Sequence, residues 1–324
     1  MFGPHVLALD LKAEVEKITT ALKEQVVNNL KRRGVVVAVS GGIDSSTVAG
    51  LCARAFGGSR MLALCLPERD SSEAALRLGK AVASTFDIPV VVEDIAPALA
   101  GIDCYGRQDE AIRQVFPEYG PGWKCKVTLP SILDSDRLNV SQLTVENPQG
   151  ERTTKRMPPS AYLQLVAATN FKQRVRKMTE YYHADRLNYA VAGTPNLLEY
   201  DQGFFVKLGD GSADVKPIAH LYKTQVFAVA EYLGVPEEIR RRTPTTDTFS
   251  IPQTQEEFYF ALPYDKMDLC LFGLNHGVSP AEVAPAVGLT AEQVERVYRD
   301  IAAKRRVAHY LHCPPLLVEP VGAH

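Results

Sequence analysis

Residues 35–46 read VVVAVSGGIDSS. Four of the first five are valine, and such an apolar, β-branched run is typical of a strand buried on both faces of a parallel sheet. A Ser-Gly-Gly turn follows, and residues 45–55 carry a helical pattern. We therefore predict a strand, a tight loop and a helix in succession, which is the repeating unit of an α/β fold.

The segments around this stretch alternate in the same way. Apolar residues at helical spacing predict helices over 10–33, 72–86 and 160–182. Short apolar runs predict strands over 61–66, 89–92 and 187–192. This alternation predicts a doubly wound parallel sheet with flanking helices. Further helical patterns over 222–233, 264–275 and 291–310 predict a helical C-terminal part.

Length and charge narrow the class of protein. The chain has 324 residues with 36 Lys+Arg against 38 Asp+Glu, a balance that argues against a nucleic-acid surface. No apolar run approaches the roughly 18 residues of a membrane span, and residues 1–10 lack the features of a signal peptide. The six cysteines form no CxxC pair, so neither a disulfide framework nor a zinc site is indicated. We expect a cytoplasmic enzyme without nucleic-acid or membrane partners.

One stretch departs from the regular alternation. Residues 103–159 are rich in Pro, Gly and polar residues, with one short helical piece at 110–116 and a turn signal at 147–150. We expect an irregular insertion here, serving as a flap or an oligomer contact, rather than a domain with its own core. The whole chain, 1–324, is then one domain.

The loop at residues 40–46 carries the strongest chemical signal. Its glycines allow a tight turn that aims backbone N–H groups inward, and the following helix adds the positive end of its dipole. The hydroxyls of Ser40, Ser45 and Ser46 provide further donors. The GxxxxGK[ST] spacing of a Walker A loop is absent. These features predict a different cradle for a phosphate or pyrophosphate.

This loop resembles the SGGxDS signature of the N-type ATP pyrophosphatases, which cleave ATP between the α and β phosphates. The signature alone leaves several families open, including GMP synthetases, asparagine synthetases, tRNA-thiolating enzymes and NAD synthetases. Later motifs resemble those of NAD synthetases in order and approximate spacing, over about residues 10–100 and 160–310. They are Asn170–Arg174, Gly193-Thr194 with Glu199, Lys207-x-Gly209-Asp210-Gly211, Asp214-x-x-Pro217, Leu221–Gln225, Pro244-Thr245, Tyr264-Asp265-x-x-Asp268 and Lys304–Arg306.

The resemblance implies an adenine nucleotide alpha hydrolase-like sheet and an ammonia-dependent NAD synthetase. Such an enzyme adenylylates deamido-NAD with ATP as co-substrate, releases pyrophosphate, and lets ammonia displace AMP. By the same resemblance Asp44 and Lys223 are catalytic, and Asp44 and Glu199 hold Mg²⁺. The implied ATP-binding residues are Ser40, Gly41, Gly42, Ile43, Asp44, Ser45, Ser46, Thr194, Lys223 and Thr245. The implied deamido-NAD-binding residues are Arg174, Lys207, Asp214 and Lys304.

The resemblance also bears on partners. Family members form homodimers with the dinucleotide at the subunit interface, so we expect a homodimer. About 34 residues precede the first strand, too few for the glutamine-hydrolysing domain that some family members carry. We therefore expect free ammonia, or ammonia supplied by a separate protein.

Two alternatives to this function remain. One is a related ATP pyrophosphatase acting on another carboxylate or carbonyl substrate. A thiolating enzyme would need a reactive cysteine pair and a basic surface, which the sequence lacks. A GMP synthetase would need a C-terminal dimerisation domain, for which residues 250–324 are too helical and short. The other alternative is a non-catalytic nucleotide-binding regulator, which the intact Asp44, Glu199 and Lys223 disfavour.

Overall fold

The computed structural model describes residues 2–128, 141–244, 249–255, 259–260, 262–319 and 321. Its strands are β1 (Val35–Ala38), β2 (Met61–Cys65), β3 (Val90–Val92), β4 (Lys124–Thr128), β5 (Gln142–Glu146), β6 (Arg152–Arg156) and β7 (Ala190–Val191). Its helices are α1 (Leu11–Lys23), α2 (Ile43–Phe56), α3 (Glu73–Thr85), α4 (Ala96–Gly101), α5 (Cys104–Arg113), α6 (Pro159–Leu187), α7 (Leu197–Gln202), α8 (Lys223–Leu233), α9 (Glu237–Arg241), α10 (Tyr264–Asn275), α11 (Pro280–Val287) and α12 (Ala291–His312).

The central sheet is parallel and has the strand order β3-β2-β1-β7. Its valines point alternately to two different cores, as the strand period of two requires. Val35 and Val37 join the cluster formed with α1, α2 and α8. Val36 joins the cluster on the other face, formed with α4 and α6. Helices therefore cover both faces, and the predicted doubly wound sheet is confirmed.

The expectation of an irregular segment at 103–159 is wrong for the described part of that stretch. Helix α5 begins at Cys104, and β4, β5 and β6 form an antiparallel sheet with a turn at residues 147–150. The strands were hard to detect because β4 and β5 each turn only two apolar side chains into the core, and β6 is exposed throughout. These side chains pack with α5 and with Leu165 of α6. The segment thus has a small core that it shares with α6.

The C-terminal helices α10, α11 and α12 pack around a separate apolar cluster, which confirms the predicted helical part. Helix α11 was not predicted, although its N-cap Ser279 and its N3 residue Glu282 form a capping box. Among the described helices, none combines the length and apolar character that crossing a bilayer would need.

Candidate active site

The loop of residues 40–42 connects β1 to α2 at the carboxyl end of the central sheet, where α/β folds bind ligands. Gly41 has a φ of 73°, in the left-handed region that favours glycine. A Cβ added there would lie 2.6 Å from the Leu78 Cβ and 2.9 Å from the Ala75 carbonyl oxygen, both in α3. Glycine at position 41 therefore lets the loop turn and also lets it pack directly against α3.

The three serines of the loop have different roles. The Oγ atoms of Ser40 and Ser45 lie 3.2 Å apart, and the backbone N–H of Ser40 donates to the Ser45 Oγ at 3.3 Å. Both residues line the cavity above the loop. The Ser46 side chain is buried, and its Oγ donates to the Gly42 carbonyl at 2.7 Å. The Ser45 Oγ donates to the same carbonyl at 3.2 Å. Ser40 and Ser45 therefore face the cavity, and Ser45 and Ser46 both hold the loop to the first turn of α2.

A cavity of about 450 Å³ opens over this loop, within the size range of small-molecule sites. Residues 40–45, Thr194 and Glu199 form one side of its lining. Helix α6 contributes a stripe of side chains at helical spacing, and Val127 of β4 closes part of the wall. The segment that contains β4 is thus a structural part of the cavity.

The Lys223 ammonium is fixed beside the loop by a buried ion pair. Its Nζ lies 2.5 Å from the Asp44 Oδ2, and the Lys223 side chain is completely buried. Lys223 is the first residue of α8, and the Asp268 carboxylate accepts hydrogen bonds from the backbone N–H groups of Lys223 at 3.2 Å and Thr224 at 2.7 Å. Burial raises the pKa of Asp268 to about 6. The start of α8 therefore holds a cation against the carboxylate of the loop.

Asn196 forms hydrogen bonds to both Asp44 and Glu199, the two carboxylates that the family resemblance assigns to a metal. Its side-chain amide donates to the Asp44 Oδ1 at 3.0 Å, and its backbone N–H donates to the Glu199 Oε2 at 3.1 Å. The Gln255 side chain donates to the Glu199 Oε1 at 3.1 Å. Burial, with the Asp44 charge second, raises the pKa of Glu199 to about 8. A cation at this site would supply the positive charge that the buried Glu199 lacks.

These two carboxylates suit a hard divalent ion. Magnesium prefers oxygen ligands and commonly binds through one or two carboxylates together with substrate phosphates. Asp44 and Glu199 are two such carboxylates, so they fit an ion shared between the protein and a bound polyphosphate. Among the described residues, no group of three or more His, Cys, Asp or Glu side chains could hold a metal ion.

The residues that the sequence assigned to the dinucleotide lie outside the cavity lining. Arg174 is exposed on α6, and its Nε donates to the Lys207 carbonyl at 3.3 Å. The Lys207 Nζ donates to the carbonyls of Tyr310 and Cys313 at the end of α12, at 2.8 and 3.0 Å. Arg174 and Lys207 are thus neighbours on the surface.

The other two assigned residues have internal contacts. The Asp214 carboxylate accepts the Val191 N–H of β7 at 2.7 Å. The Lys304 Nζ donates to the Tyr259 carbonyl at 2.8 Å and lies 2.7 Å from the Asp300 carboxylate. Tyr259 lines the cavity, so Lys304 lies behind its wall. Thr245, assigned to ATP, lies outside the described residues.

Sequence reasoning missed Asn196 and Gln255. Asn196 caps α7, and with Glu199 three residues later it forms a capping box. The pattern Asn-x-x-Glu was a readable signal for that cap, although not for the bond to Asp44. No comparable motif marks Gln255. It lies 56 residues from Glu199 in the sequence, and folding brings the two side chains together.

Known proteins similar to this chain all point to one family. The sequence model of a family described as NAD synthase matches residues 14–114 and 136–309. A protein named NH(3)-dependent NAD(+) synthetase from Mesorhizobium japonicum is 63% identical over 98% of this chain and 99% of its own length. A protein of the same name from Rhizobium meliloti is 58% identical over 99% of this chain and 96% of its own length.

Solved structures show the same fold. An NMN synthetase from Francisella tularensis has a TM-score of 0.65 at 23% identity, covering 96% of this chain and 99% of that one. An NH3-dependent NAD synthetase from Campylobacter jejuni has a TM-score of 0.61 at 22% identity, covering 96% and 100%. The parallel sheet with its helical C-terminal part is therefore a known architecture.

Proposed function

The chain belongs to the NAD synthase family, and from that premise we propose that it catalyses the ATP-dependent amidation of deamido-NAD to NAD with ammonia. In the first step the nicotinate carboxylate attacks the α-phosphorus of ATP, and the bond to the β-phosphate oxygen breaks. Pyrophosphate leaves and an acyl-adenylate forms. In the second step ammonia attacks the acyl carbon, AMP leaves, and the nitrogen loses a proton.

The observation that supports this chemistry most strongly is the network of Lys223, Asp44, Asn196 and Glu199 beside the loop. Cleavage between the α and β phosphates places new negative charge on pyrophosphate. Preorganised cations and N–H groups aimed at that charge lower the barrier. The loop N–H groups and the buried Lys223 ammonium, held within 2.5 Å of Asp44, supply both.

We propose Asp44 and Glu199 as the protein ligands of Mg²⁺. When bound, Mg²⁺ neutralises charge on the β- and γ-phosphates, so that the carboxylate of the acceptor can approach the α-phosphate. Asn196 orients Asp44 through its side chain and Glu199 through its backbone. Replacing Glu199 with Gln should remove the dependence of activity on Mg²⁺ concentration along with most of the activity.

We propose that the protein acts in the cytoplasm as a homodimer, with ammonia either free or delivered by a separate protein. The outer surface of α6 supports the dimer, because Leu163, Met178 and Tyr182 are each more than 60% exposed there. Arg174 lies on the same surface. A second subunit that covers this surface would give Arg174 and Lys207 a role in dinucleotide binding. Light scattering at micromolar concentration tests the dimer.

The decisive experiment follows the products of ATP, deamido-NAD, Mg²⁺ and ammonium with the purified protein. We expect NAD, AMP and pyrophosphate in equal amounts. Replacing ammonium with glutamine should abolish amidation, and the Asp44→Asn variant should show neither pyrophosphate nor NAD. Release of ADP and phosphate, or ATP cleavage that does not need deamido-NAD, would contradict the proposal.

A further inference from the structure

Helix α6 carries an ion pair that the proposed reaction has not used. Lys177 and Glu180 lie one turn apart, and the Lys177 Nζ donates a hydrogen bond to the Glu180 Oε2 at 2.7 Å. Their side chains are only 7% and 5% exposed. Both residues line the cavity that also contains the loop of residues 40–45. The pair therefore belongs to the same enclosed space as the phosphate cradle.

Placing these charges inside the protein is costly. Removing an ion from water costs several kcal/mol, and a buried pair seldom stabilises a fold more than apolar side chains of similar size do. Along the same stripe, the cavity-facing positions of α6 change from the apolar Leu165 and Val166 to the polar Asn170 and Gln173. Lys177 and Glu180 continue this polar part as charged groups held out of water, and such groups in a cleft are candidates for function.

Other charged groups lie near the pair. Arg176 and Asp210 line the same cavity. Burial raises the pKa of Asp210, and the Lys177 charge opposes that shift. Lys177 and Arg176 therefore offer positive charge to an anion at this end of the cavity.

The Lys177 ammonium also has donors to spare. An ammonium group has three N–H donors, and within the described part of the chain Lys177 gives one of them, to Glu180. Glu180 fixes the direction of the side chain and leaves two donors for a ligand. A lysine held in this way by a carboxylate is preorganised, so a ligand need not restrict its rotamers.

We propose that Lys177, positioned by Glu180, binds the carboxylate of the acceptor substrate during adenylylation. The inference rests on the proposed function, because that reaction must place the acceptor carboxylate in the cavity that holds the ATP phosphates. Two anions then share one space, and each needs a cation of its own. Lys223 serves the phosphates beside the loop, and Lys177 serves the carboxylate from α6. Adenylylation removes the carboxylate charge, so the contact with Lys177 discriminates between deamido-NAD and the amide product.

The experiment compares Lys177→Met with the double variant Lys177→Met/Glu180→Met in the full-length protein. The single variant leaves a buried carboxylate without its cation and is expected to melt at a lower temperature. The double variant removes both charges and should regain the stability of the wild type. Because only its acceptor contact is lost, its KM for deamido-NAD should rise by about 10- to 100-fold, as expected for one lost bond to a charged group. Its KM for ATP should stay within about twofold.

A second measurement separates binding from a structural role. Calorimetry should show that the wild type binds deamido-NAD more tightly than NAD, and that this preference shrinks at least fivefold in the double variant. Lys17→Met is the matched control, because Lys17 forms an i,i+3 pair with Glu14 on α1, away from the cavity. The Lys17→Met variant should keep the wild-type KM values for deamido-NAD and ATP, and the wild-type preference for deamido-NAD over NAD.

The outcomes separate this inference from the proposed function. A wild type that cannot make NAD from deamido-NAD overturns both. A wild type that makes NAD, with a double variant of unchanged KM and unchanged preference for deamido-NAD over NAD, overturns the role of Lys177 alone. In that case the pair only stabilises α6.

Discussion

Gly41→Ala tests whether the phosphate loop is built as the structure shows, because a matched glycine exists elsewhere. Gly234 ends α8 in the left-handed conformation, with a φ of 79° close to the 73° of Gly41. A Cβ at position 234 would meet nothing within 4 Å, whereas a Cβ at position 41 would overlap Leu78 and the Ala75 carbonyl. The two variants therefore share the cost of an alanine at positive φ and differ in packing.

The magnitudes follow from these contacts. An alanine in a left-handed backbone conformation destabilises the folded protein by about 1–2 kcal/mol. Replacing glycine also reduces the conformational entropy of the unfolded chain, which stabilises the folded protein by about 0.4–1 kcal/mol. Gly234→Ala should therefore lower the free energy of unfolding by about 1 kcal/mol. Gly41→Ala adds an overpacking cost of about 1–3 kcal/mol, for a total of about 2–4 kcal/mol. Part of that strain would be relieved by moving the loop away from α3, which would misalign the N–H groups of the cradle.

Urea unfolding followed by far-UV circular dichroism measures the stability of both variants, and calorimetry measures ATP binding. We expect Gly41→Ala to bind ATP at least tenfold more weakly than the wild type, and Gly234→Ala to bind it normally. Equal stability losses in the two variants would show that the loop does not pack on α3 as described. Normal ATP binding by Gly41→Ala would refute the assignment of the cradle.

Three further substitutions test the network beside the loop. Asp44→Asn should leave the buried Lys223 ammonium without a carboxylate, which should lower the free energy of unfolding by about 3–5 kcal/mol. A melting temperature equal to that of the wild type would contradict the ion pair. Asn196→Ala should cost about 1 kcal/mol through the lost helix cap and should also lower kcat, since Asp44 loses a donor; unchanged kcat would limit Asn196 to capping. Asp268→Asn should change the pH dependence of stability: because burial raises the pKa of Asp268 to about 6, the folded protein holds this proton more tightly than the unfolded chain. The wild type should therefore lose on the order of 3 kcal/mol as pH rises from about 4 to 6 and then level off. The Asn variant should lack this slope in urea titrations at each pH.

The first strand and its loop could be predicted because their signals are local. A run of valines followed by Ser-Gly-Gly specifies a buried strand and a tight turn within a dozen residues. The network that uses the loop is different, since Lys223 and Asp44 lie 179 residues apart and Asn196 lies 152 residues from Asp44. Resemblance to a family named Lys223, Asp44 and Glu199, but no local pattern indicated that Asn196 and Gln255 would join them.

Helix α6 shows a second limit of sequence patterns. A helix over 160–182 was predicted, and the observed helix is longer, running from Pro159 to Leu187. Charged residues on a helix normally indicate the face that meets solvent. In α6 this rule fails, because Lys172, Lys177 and Glu180 are buried while Leu163 and Met178 are exposed. The inversion arises because Lys177 and Glu180 line a polar cavity, and because Lys172 pairs with buried carboxylates of another segment, Glu68 and Asp70. Periodicity alone does not reveal either contact.

The position of Lys223 explains why the second half of the chain must accompany the loop. The loop offers N–H groups and a helix dipole but no lysine of its own, so in the proposed reaction the cation that neutralises pyrophosphate has to come from another element. Lys223 stands at the first residue of α8, where the positive end of the helix dipole is unfavourable for a cation. Asp268 of α10 binds the first N–H groups of α8 and offsets that positive end. We therefore expect Asp268 to serve the proposed reaction as well as the fold. Because burial raises the pKa of Asp268 to about 6, its replacement by Asn should slow pyrophosphate release above that pH, where the wild-type carboxylate is charged, and should have little effect on that rate below it.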